Sequence, residues 1–266
     1  MLTAIVKSPA PTLAEACELT FMNRGAMNFD LLAWQHGDYC DALQRVGSNV
    51  VVLPPSPDFA DSVFVEDTAV ILDTLAIITR PGVLSRRGES ALIEPYLAPY
   101  RRIVRIEAPG TLDGGDVLRI GRTLFVGLST RTNADGIKQL TQFVQPLGYS
   151  LVAVRVMGSL HLKTACTALD DSTVLLNPDW IDGSAFGAFA RISVAANETF
   201  AANVLAIGVN RVVNAAFPRT LELIGKHLQA TSAQVIPVDI SEFGKAEAGL
   251  SCMSLLVENQ TDVNAH

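Results

Sequence analysis

Charged side chains are scarce in this chain of 266 residues, where Asp, Glu, Lys and Arg make up 18% against 49% hydrophobic residues. That scarcity describes a compact globular protein, long enough for one large domain or two small ones. Long hydrophobic runs are missing as well. The longest apolar stretches are strand-sized, such as 49–53, which excludes a membrane-spanning helix. The opening residues lack a basic segment ahead of an extended apolar one, so no signal peptide is expected. Cysteine is limited to Cys17, Cys40, Cys166 and Cys252, with no Cys-x-x-Cys pair. This argues against a disulfide framework and for a reducing cytoplasm. No Gly-Lys-Ser/Thr phosphate loop, no His-x-x-x-His pair and no Gly-x-Gly-x-x-Gly nucleotide fingerprint occurs. Basic residues are in the minority. The net charge of −7 disfavours nucleic acid and anionic membranes as partners and mildly favours a cationic small molecule.

Acidic residues, by contrast, gather in one place. Residues 57–72 combine an apolar strand pattern (Val63, Phe64, Val65, then 69–72) with carboxylates at Asp61, Glu66 and Asp67. In an extended strand Asp61 and Asp67 share one edge, with Glu66 beside them. Ionised carboxylates are costly to bury unpaired, so such groups are protonated, solvated, metal-bound or matched to a cation. Two readings are open: a polar loop running into a strand, or a pocket for a cationic ligand such as a guanidinium.

Around this stretch the chain repeats one unit. A strand at 2–6 and a mobile loop at 17–27 lead to a helix over 28–46. There Leu32, His36, Tyr39, Leu43 and Val46 recur at helical spacing and Gly47 ends the run. Strand 49–53 follows and leads to the acidic stretch. Hairpin 69–79, a helix over 85–99 and strand 103–106 lead to Asp113-Gly114-Gly115-Asp116. Hairpin 117–127, helix 132–147 and strand 151–156 lead to Leu160-His161-Leu162-Lys163. Hairpin 167–176, a helical segment at 182–188 and strand 191–195 lead to Ala201-Ala202-Asn203. Hairpin 204–214, helix 220–228 and strand 234–240 lead to Cys252 and a last strand up to 257. The loop ends Asp67, Asp113, His161, Asn203 and Cys252 are separated by 46, 48, 42 and 49 residues. A near-regular period of this kind marks stacked or radially arrayed repeats. The last unit lacks its second hairpin strand and strand 2–6 lacks a neighbour, so the two are expected to pair and close a ring. The loop ends would then converge on one central mouth. A single domain over 1–266 is expected, with a polar, frayed tail at 258–266.

The chemistry-bearing residues occupy those loop ends. A lone cysteine is usually an inert core residue, and a histidine between two leucines is usually a satisfied core group. Cys252 and His161 share a repeat position with Asp67 and Asp113, and a thiolate, a base and a group that orients the base form a catalytic set. A bound guanidinium would also favour the thiolate. Asp113 and Asp116 bracket two glycines, which taken alone is ordinary turn chemistry. Arg86 and Arg131 sit at or before helix N-termini, where a cation opposes the helix dipole. They are either solvated basic residues or anchors for a ligand carboxylate, which arginine can hold bidentately. Arg80 and Arg87 are weaker candidates of the same kind.

Seven ordered motifs, spread over residues 2–257, then carry a family resemblance. They are Asp-Ser-Val-Phe-Val-Glu-Asp (61–67), Ile-Thr-Arg-Pro-Gly with Ser-Arg-Arg (78–87), Leu-Asp-Gly-Gly-Asp (112–116), Arg-Thr-Asn (131–133), Leu-His-Leu-Lys (160–163), Ala-Ala-Asn (201–203) and Gly-Leu-Ser-Cys-Met-Ser (249–254). Together they closely resemble the dimethylarginine dimethylaminohydrolases of the guanidine-modifying pentein superfamily. The resemblance implies an α/β fold: a five-bladed pseudo-symmetric α/β propeller of ββαβ units. It implies hydrolysis of Nω-methylated arginines to citrulline and methylamines, without cofactor or metal. Cys252 would be the nucleophile, His161 the acid and then the base, and Asp113 the group that orients His161. Glu66 and Asp67 would hold the guanidinium nitrogens, Asp61 and the Leu19 carbonyl the α-amine, and Arg86 and Arg131 the α-carboxylate. The Ala246 carbonyl is a further contact, and a homodimer is a possible assembly. Some relatives carry Glu where this chain has the shorter Asp113. Arginine deiminases share most of the chemistry but carry a helical insertion for which 266 residues leave no room. The competing readings are amidino transfer, a metal site built from Cys252, His161 and carboxylates, and a non-catalytic ribosome-binding propeller, which the acidic balance disfavours.

Overall fold

The computed structural model describes residues 1–258. Its strands form five three-stranded sheets that share one connectivity. In each, a first strand pairs antiparallel with a second, and the second pairs parallel with a third. In chain order of their first strands, four of these sheets are Ala69–Ile71 with Leu75–Ile78 and Arg102–Arg105; Val117–Ile120 with Thr123–Leu128 and Ser150–Arg155; Cys166–Ala168 with Thr173–Leu176 and Ala190–Ser193; and Leu205–Ile207 with Asn210–Asn214 and Val235–Val238. The fifth joins the two ends of the chain: Ser254–Glu258 pairs antiparallel with Leu2–Lys7, which pairs parallel with Asn49–Leu53. The terminal pairing expected from the sequence is present.

A parallel step needs a crossover, and helices supply it. Phe29–Arg45, Glu89–Leu97, Ala134–Val144 and Pro218–Leu228 serve four units, and the short 3-10 turn Gly183–Phe186 serves the other. The first of these runs as its spacing predicts: Leu32, His36, Tyr39 and Leu43 are buried, and the Asn28 side chain caps the start by accepting from the Leu31 N–H.

Period-two alternation places each central strand between two cores. Ile5 packs with Ala69, Ala76 and Ile78 of the next sheet, while Ala4 and Val6 face Leu205 and Val212 of the last one. Leu75 and Ile77 meet Leu124 and Val126; Leu118 and Phe125 meet Val174 and Leu176; Leu175 meets Val213. Five sheet junctions therefore hold five apolar clusters, and the series returns to its start. Each Leu or Ile fully buried there contributes roughly 2 kcal/mol. The ring is closed, and the first strands of all five sheets surround its axis.

Three local expectations are corrected. Residues 61–68 are not a strand: Val65–Thr68 is a 3-10 turn, and extended structure begins only at Ala69. All ten residues from Asp61 to Val70 are buried, so no solvent face exists for an alternating pattern to report. The helix expected over 85–99 is broken into the turn Leu84–Arg86 and the helix Glu89–Leu97. Finally, Glu258, assigned to a frayed tail, is held in the closing sheet opposite Leu2. The remainder of that tail, 259–266, lies outside the described residues.

Candidate active site

Four of the five short loops that lead into the first strands end in a tight helical turn, and these turns place the polar side chains. Val65–Thr68 carries Glu66 and Asp67; Asp113 precedes Gly114–Asp116; His161 precedes Leu162–Ala165; Cys252 lies within Ser251–Met253. The fifth loop supplies Asn203. Its amide accepts from the Ser251 N–H at 3.0 Å and donates to the Ser251 hydroxyl and the Lys163 carbonyl, both at 2.9 Å. Asn203 thus ties the histidine turn to the cysteine turn rather than facing the cavity.

His161 lies between two carboxylates. Its Nε2 is 3.0 Å from Asp113 Oδ2 and its Nδ1 3.7 Å from Asp67 Oδ1. Burial disfavours the charged imidazole, but Asp67, then the hydrogen bond to Asp113, outweigh it and raise the His161 pKa to about 9. At neutral pH His161 is therefore an imidazolium. Asp67 shows the reverse. Burial pushes its carboxyl up, yet His161 and Arg86 together hold it well below the ordinary carboxylate range. Asp113 is fully buried and also accepts from the Gly82 N–H at 2.9 Å, which fixes the oxygen not facing His161.

The two glycines of the Asp-Gly-Gly-Asp motif are explained by close approach. A Cβ on Gly115 would lie 2.7 Å from His161 Nδ1 and 2.8 Å from Asp67 Oδ1. The Gly115 N–H donates to Asp67 Oδ1 at 3.0 Å. Asp116, beyond the glycines, accepts from the Leu162 N–H at 2.9 Å and so seats the turn that bears His161.

Cys252 is buried, with the Gly249 N–H donating to Sγ at 3.4 Å. Burial, then the carboxylates of Glu66 and Asp67, push its thiol pKa up, so the resting sulfur is neutral.

The cavity in front of Cys252 brings together Asp61, Asp67, Arg86, Arg131, His161 and Ala246 of the residues expected from the sequence. Leu19 and Glu66 do not line it. Glu66 turns the other way: its carboxylate accepts from Lys163 Nζ at 2.6 Å and from the Ser251 hydroxyl at 2.8 Å. It faces a separate axial channel of about 250 Å³ walled by the first strands. Two adjacent carboxylates thus serve opposite sides of one turn.

The two arginines also differ. Arg86 is buried and engaged on all three nitrogens, by Asp67 at 2.6 Å, by Glu89 at 2.8–3.2 Å and by the carbonyls of Asp61 and Phe64. Sequence reasoning missed Glu89, although its spacing three residues after Arg86 is a readable pairing signal. Arg131 is equally buried, yet among the described residues its Nη1 has no hydrogen-bond partner, and Asp113 Oδ2 stands 3.9 Å away. Its Nη2 donates to the Thr20 hydroxyl at 3.3 Å. A buried cation with an unused donor suits a ligand anion.

The segment from Glu18 to Met22 covers the cavity: Glu18 lines it, and residues 20–22 are bonded to Glu247 and Arg131 of its wall. The Glu18 N–H donates to Asp61 at 3.0 Å, and Glu18 itself accepts from the Ser85 hydroxyl. About 10 Å³ remains for a water centre, so the cavity as it stands has room for little more than a water.

Asp67, Asp113 and His161 also have one donor atom each within 4.8 Å of one another, which could suit a metal ion. Both carboxylates are already engaged by other donors: Gly82 on Asp113 Oδ1, Gly115 on Asp67 Oδ1 and Arg86 on Asp67 Oδ2. The permanent guanidinium 2.6 Å from Asp67 opposes a second cation there. The arrangement is better matched to a charged imidazole.

A family model described as arginine deiminase matches residues 34–200. The N(G),N(G)-dimethylarginine dimethylaminohydrolase of Pseudomonas aeruginosa is 37% identical over 253 residues, covering 94% of this chain and 97% of its own. The enzyme of the same name from Streptomyces coelicolor is 40% identical over 262 residues, covering 97% and 98%. Among solved structures, a cysteine-to-serine mutant of the Pseudomonas aeruginosa enzyme in complex with citrulline superposes with a TM-score of 0.87 at 35% identity, covering 96% of this chain and 98% of that one.

Proposed function

The chain belongs to the dimethylarginine dimethylaminohydrolase branch of the arginine deiminase family, and from that premise we propose that it hydrolyses Nω-methylated arginines to citrulline and methylamine or dimethylamine. One observation carries the reading. Cys252 shares a buried cavity with the His161 imidazole, held between Asp67 and Asp113, and with an arginine whose Nη1 has no hydrogen-bond partner among the described residues.

The substrate guanidinium, placed between Asp67 and Sγ, offsets the carboxylates that keep the thiol neutral and favours the thiolate, the thiol proton passing to bulk water. Sγ attacks the guanidinium carbon. His161 gives its proton to the departing amine as the C–N bond breaks, leaving a thiouronium on Cys252. The neutral imidazole then takes a proton from water, whose oxygen attacks the same carbon. The C–S bond breaks, the remaining hydroxyl proton passes to the departing sulfur, and citrulline is released as the neutral thiol is restored.

Asp113 orients the imidazole. Arg131 holds the α-carboxylate, with Arg86 lining the same cavity but held by Asp67 and Glu89; Asp61 and the Leu19 carbonyl hold the α-amine, with the Ala246 carbonyl nearby. Glu66, on the channel side of the turn, acts through its charge and its grip on Ser251, next to Cys252. No cofactor enters these steps.

Citrulline release from asymmetric dimethylarginine, measured on the wild type and on Cys252→Ser, tests the reading. No wild-type turnover, or undiminished turnover by the variant, refutes it. Because the matching family model is that of arginine deiminase, arginine and monomethylarginine belong in the same assay. Faster turnover of arginine would favour deiminase chemistry, and product formed with added glycine or ornithine would indicate amidino transfer.

The closure of the ring by both chain ends supports one catalytic domain over 1–266. Among the described residues no helix is long and apolar enough to cross a membrane, and all four cysteines are free. These facts and the net charge of −7 support a cytoplasmic enzyme acting on a small molecule rather than on nucleic acid or a membrane. The homodimer is a matter for light scattering.

A further inference from the structure

Glu247, which no motif singled out, is buried and has a φ of +58°, a left-handed conformation unfavourable for a residue with a Cβ. Its carboxylate accepts from three successive backbone amides of the covering segment: Thr20 at 3.1 Å, Phe21 at 2.6 Å and Met22 at 2.5 Å. Phe21 is half exposed, while Met22 lies at the edge of a neighbouring cavity with Phe200 and Phe217, so backbone bonds to Glu247 are the polar attachment of this stretch. Farther along the chain, Lys245 Nζ donates to the Ala26 carbonyl at 2.9 Å and the Asn28 N–H donates to Glu242 at 2.8 Å. Residues 242–247 therefore hold the cover and the chain that follows it, immediately before the loop that bears Cys252.

We propose that Glu247 is the latch of this cover and a positioning residue for recognition of the substrate's α-amino-acid head, an inference that rests on the methylarginine reading above. The Leu19 carbonyl and the Thr20 N–H belong to one planar trans peptide, in which the two groups point in opposite directions. By fixing the Thr20 N–H, Glu247 fixes where the Leu19 carbonyl points, and that carbonyl is the group assigned to the α-amine. The same residue brings the Thr20 hydroxyl to Arg131, the group assigned to the α-carboxylate. Oε1 takes all three N–H groups and Oε2 takes Thr20 a second time, so a neutral amide would weaken the charge-assisted bonds and turn its NH2 toward the Thr20 N–H. The left-handed backbone is retained because it aims this side chain across the cavity mouth.

Glu247→Gln, with Glu247→Asp as the variant that keeps the charge, tests the latch. The first readout is tryptic cleavage after the exposed Arg24 just beyond the covering segment, followed by mass spectrometry without substrate. Glu247→Gln should be cut about tenfold faster than the wild type, consistent with weakened charge-assisted bonds, and Glu247→Asp should fall between the two. The second compares asymmetric dimethylarginine with N,N-dimethyl-N′-propylguanidine, which lacks the α-amine and carboxylate. Glu247→Gln should raise KM for the amino acid about tenfold and leave that for the truncated guanidine within about twofold. An unchanged cleavage rate at Arg24, or equal losses on both guanidines, would overturn the proposal. Thermal unfolding identifies a variant that has failed to fold, in which case Glu247→Asp decides. A wild type that does not turn over either guanidine overturns the methylarginine reading, while the cleavage arm still decides the latch.

Discussion

Replacing Gly115 with Ala is the sharpest test of the idea that the catalytic imidazole is held in place by close packing. The change adds one methyl group and keeps the N–H that donates to Asp67. The new Cβ would lie 2.7 Å from His161 Nδ1, 2.8 Å from His161 Cγ and 2.8 Å from Asp67 Oδ1. Ordinary contact begins near 3.4 Å, so the ring must retreat by roughly 0.7 Å or the turn must shift. The ring is already 3.0 Å from Asp113, whose other oxygen is tied to Gly82, so motion in that direction is blocked. A displacement of this size at the proton donor should lower kcat by about 100-fold. Overpacking should lower stability by about 1–3 kcal/mol. Gly37→Ala serves as the control: it lies within the helix Phe29–Arg45 with nothing near its added Cβ, and should gain up to about 1 kcal/mol with unchanged kcat. Citrulline formation and thermal unfolding, run side by side, measure both effects. Wild-type kcat in Gly115→Ala would refute the claim that packing positions His161.

The five-fold plan was legible in the sequence because it is written at the scale of whole units. The spacing of Asp67, Asp113, His161, Asn203 and Cys252 survives errors of a few residues at any element boundary. The incomplete units at the two ends could be completed only by one another, which the Leu2–Glu258 register confirms. Local geometry at the site was less legible. In residues 61–68 the apolar pattern suggested alternation, but a fully buried segment has no solvent face to write one. The 3-10 turn that results sends Glu66 to the axial channel and Asp67 to the cavity. Arg86 and Arg131 looked alike as cations misplaced at helix starts. Only coordinates separate them, since Arg86 is neutralised by Asp67 and Glu89 while Arg131 retains an unpaired nitrogen. Glu247 carried no sequence signal, because its partners are backbone amides more than 220 residues away and amides have no residue identity.

Two further predictions follow from groups that bury charge. Lys163→Met removes the cation bonded to Glu66, whose side chain is 10% exposed, and should cost about 3 kcal/mol by leaving that buried carboxylate with the Ser251 hydroxyl but no counter-charge. Adding Glu66→Met should restore most of the lost stability in urea unfolding; a double variant no more stable than the single one would show that the pair is not the cause. The second concerns His161, whose folded pKa of about 9 lies above the ordinary histidine value of 6.5. A group whose pKa is raised by folding binds its proton more tightly in the native state. Its stabilising contribution is therefore complete below about pH 6.5 and is lost as pH rises through about 9. The stability gap between the wild type and His161→Gln, measured by urea unfolding from pH 6 to pH 10, should shrink across that window. The loss of the proton donor should lower kcat over the upper part of it. A gap that stays flat or widens with pH would mean that the imidazole is neutral in the folded protein, and Asp67 and Asp113 could not then be holding a proton in readiness for the leaving amine.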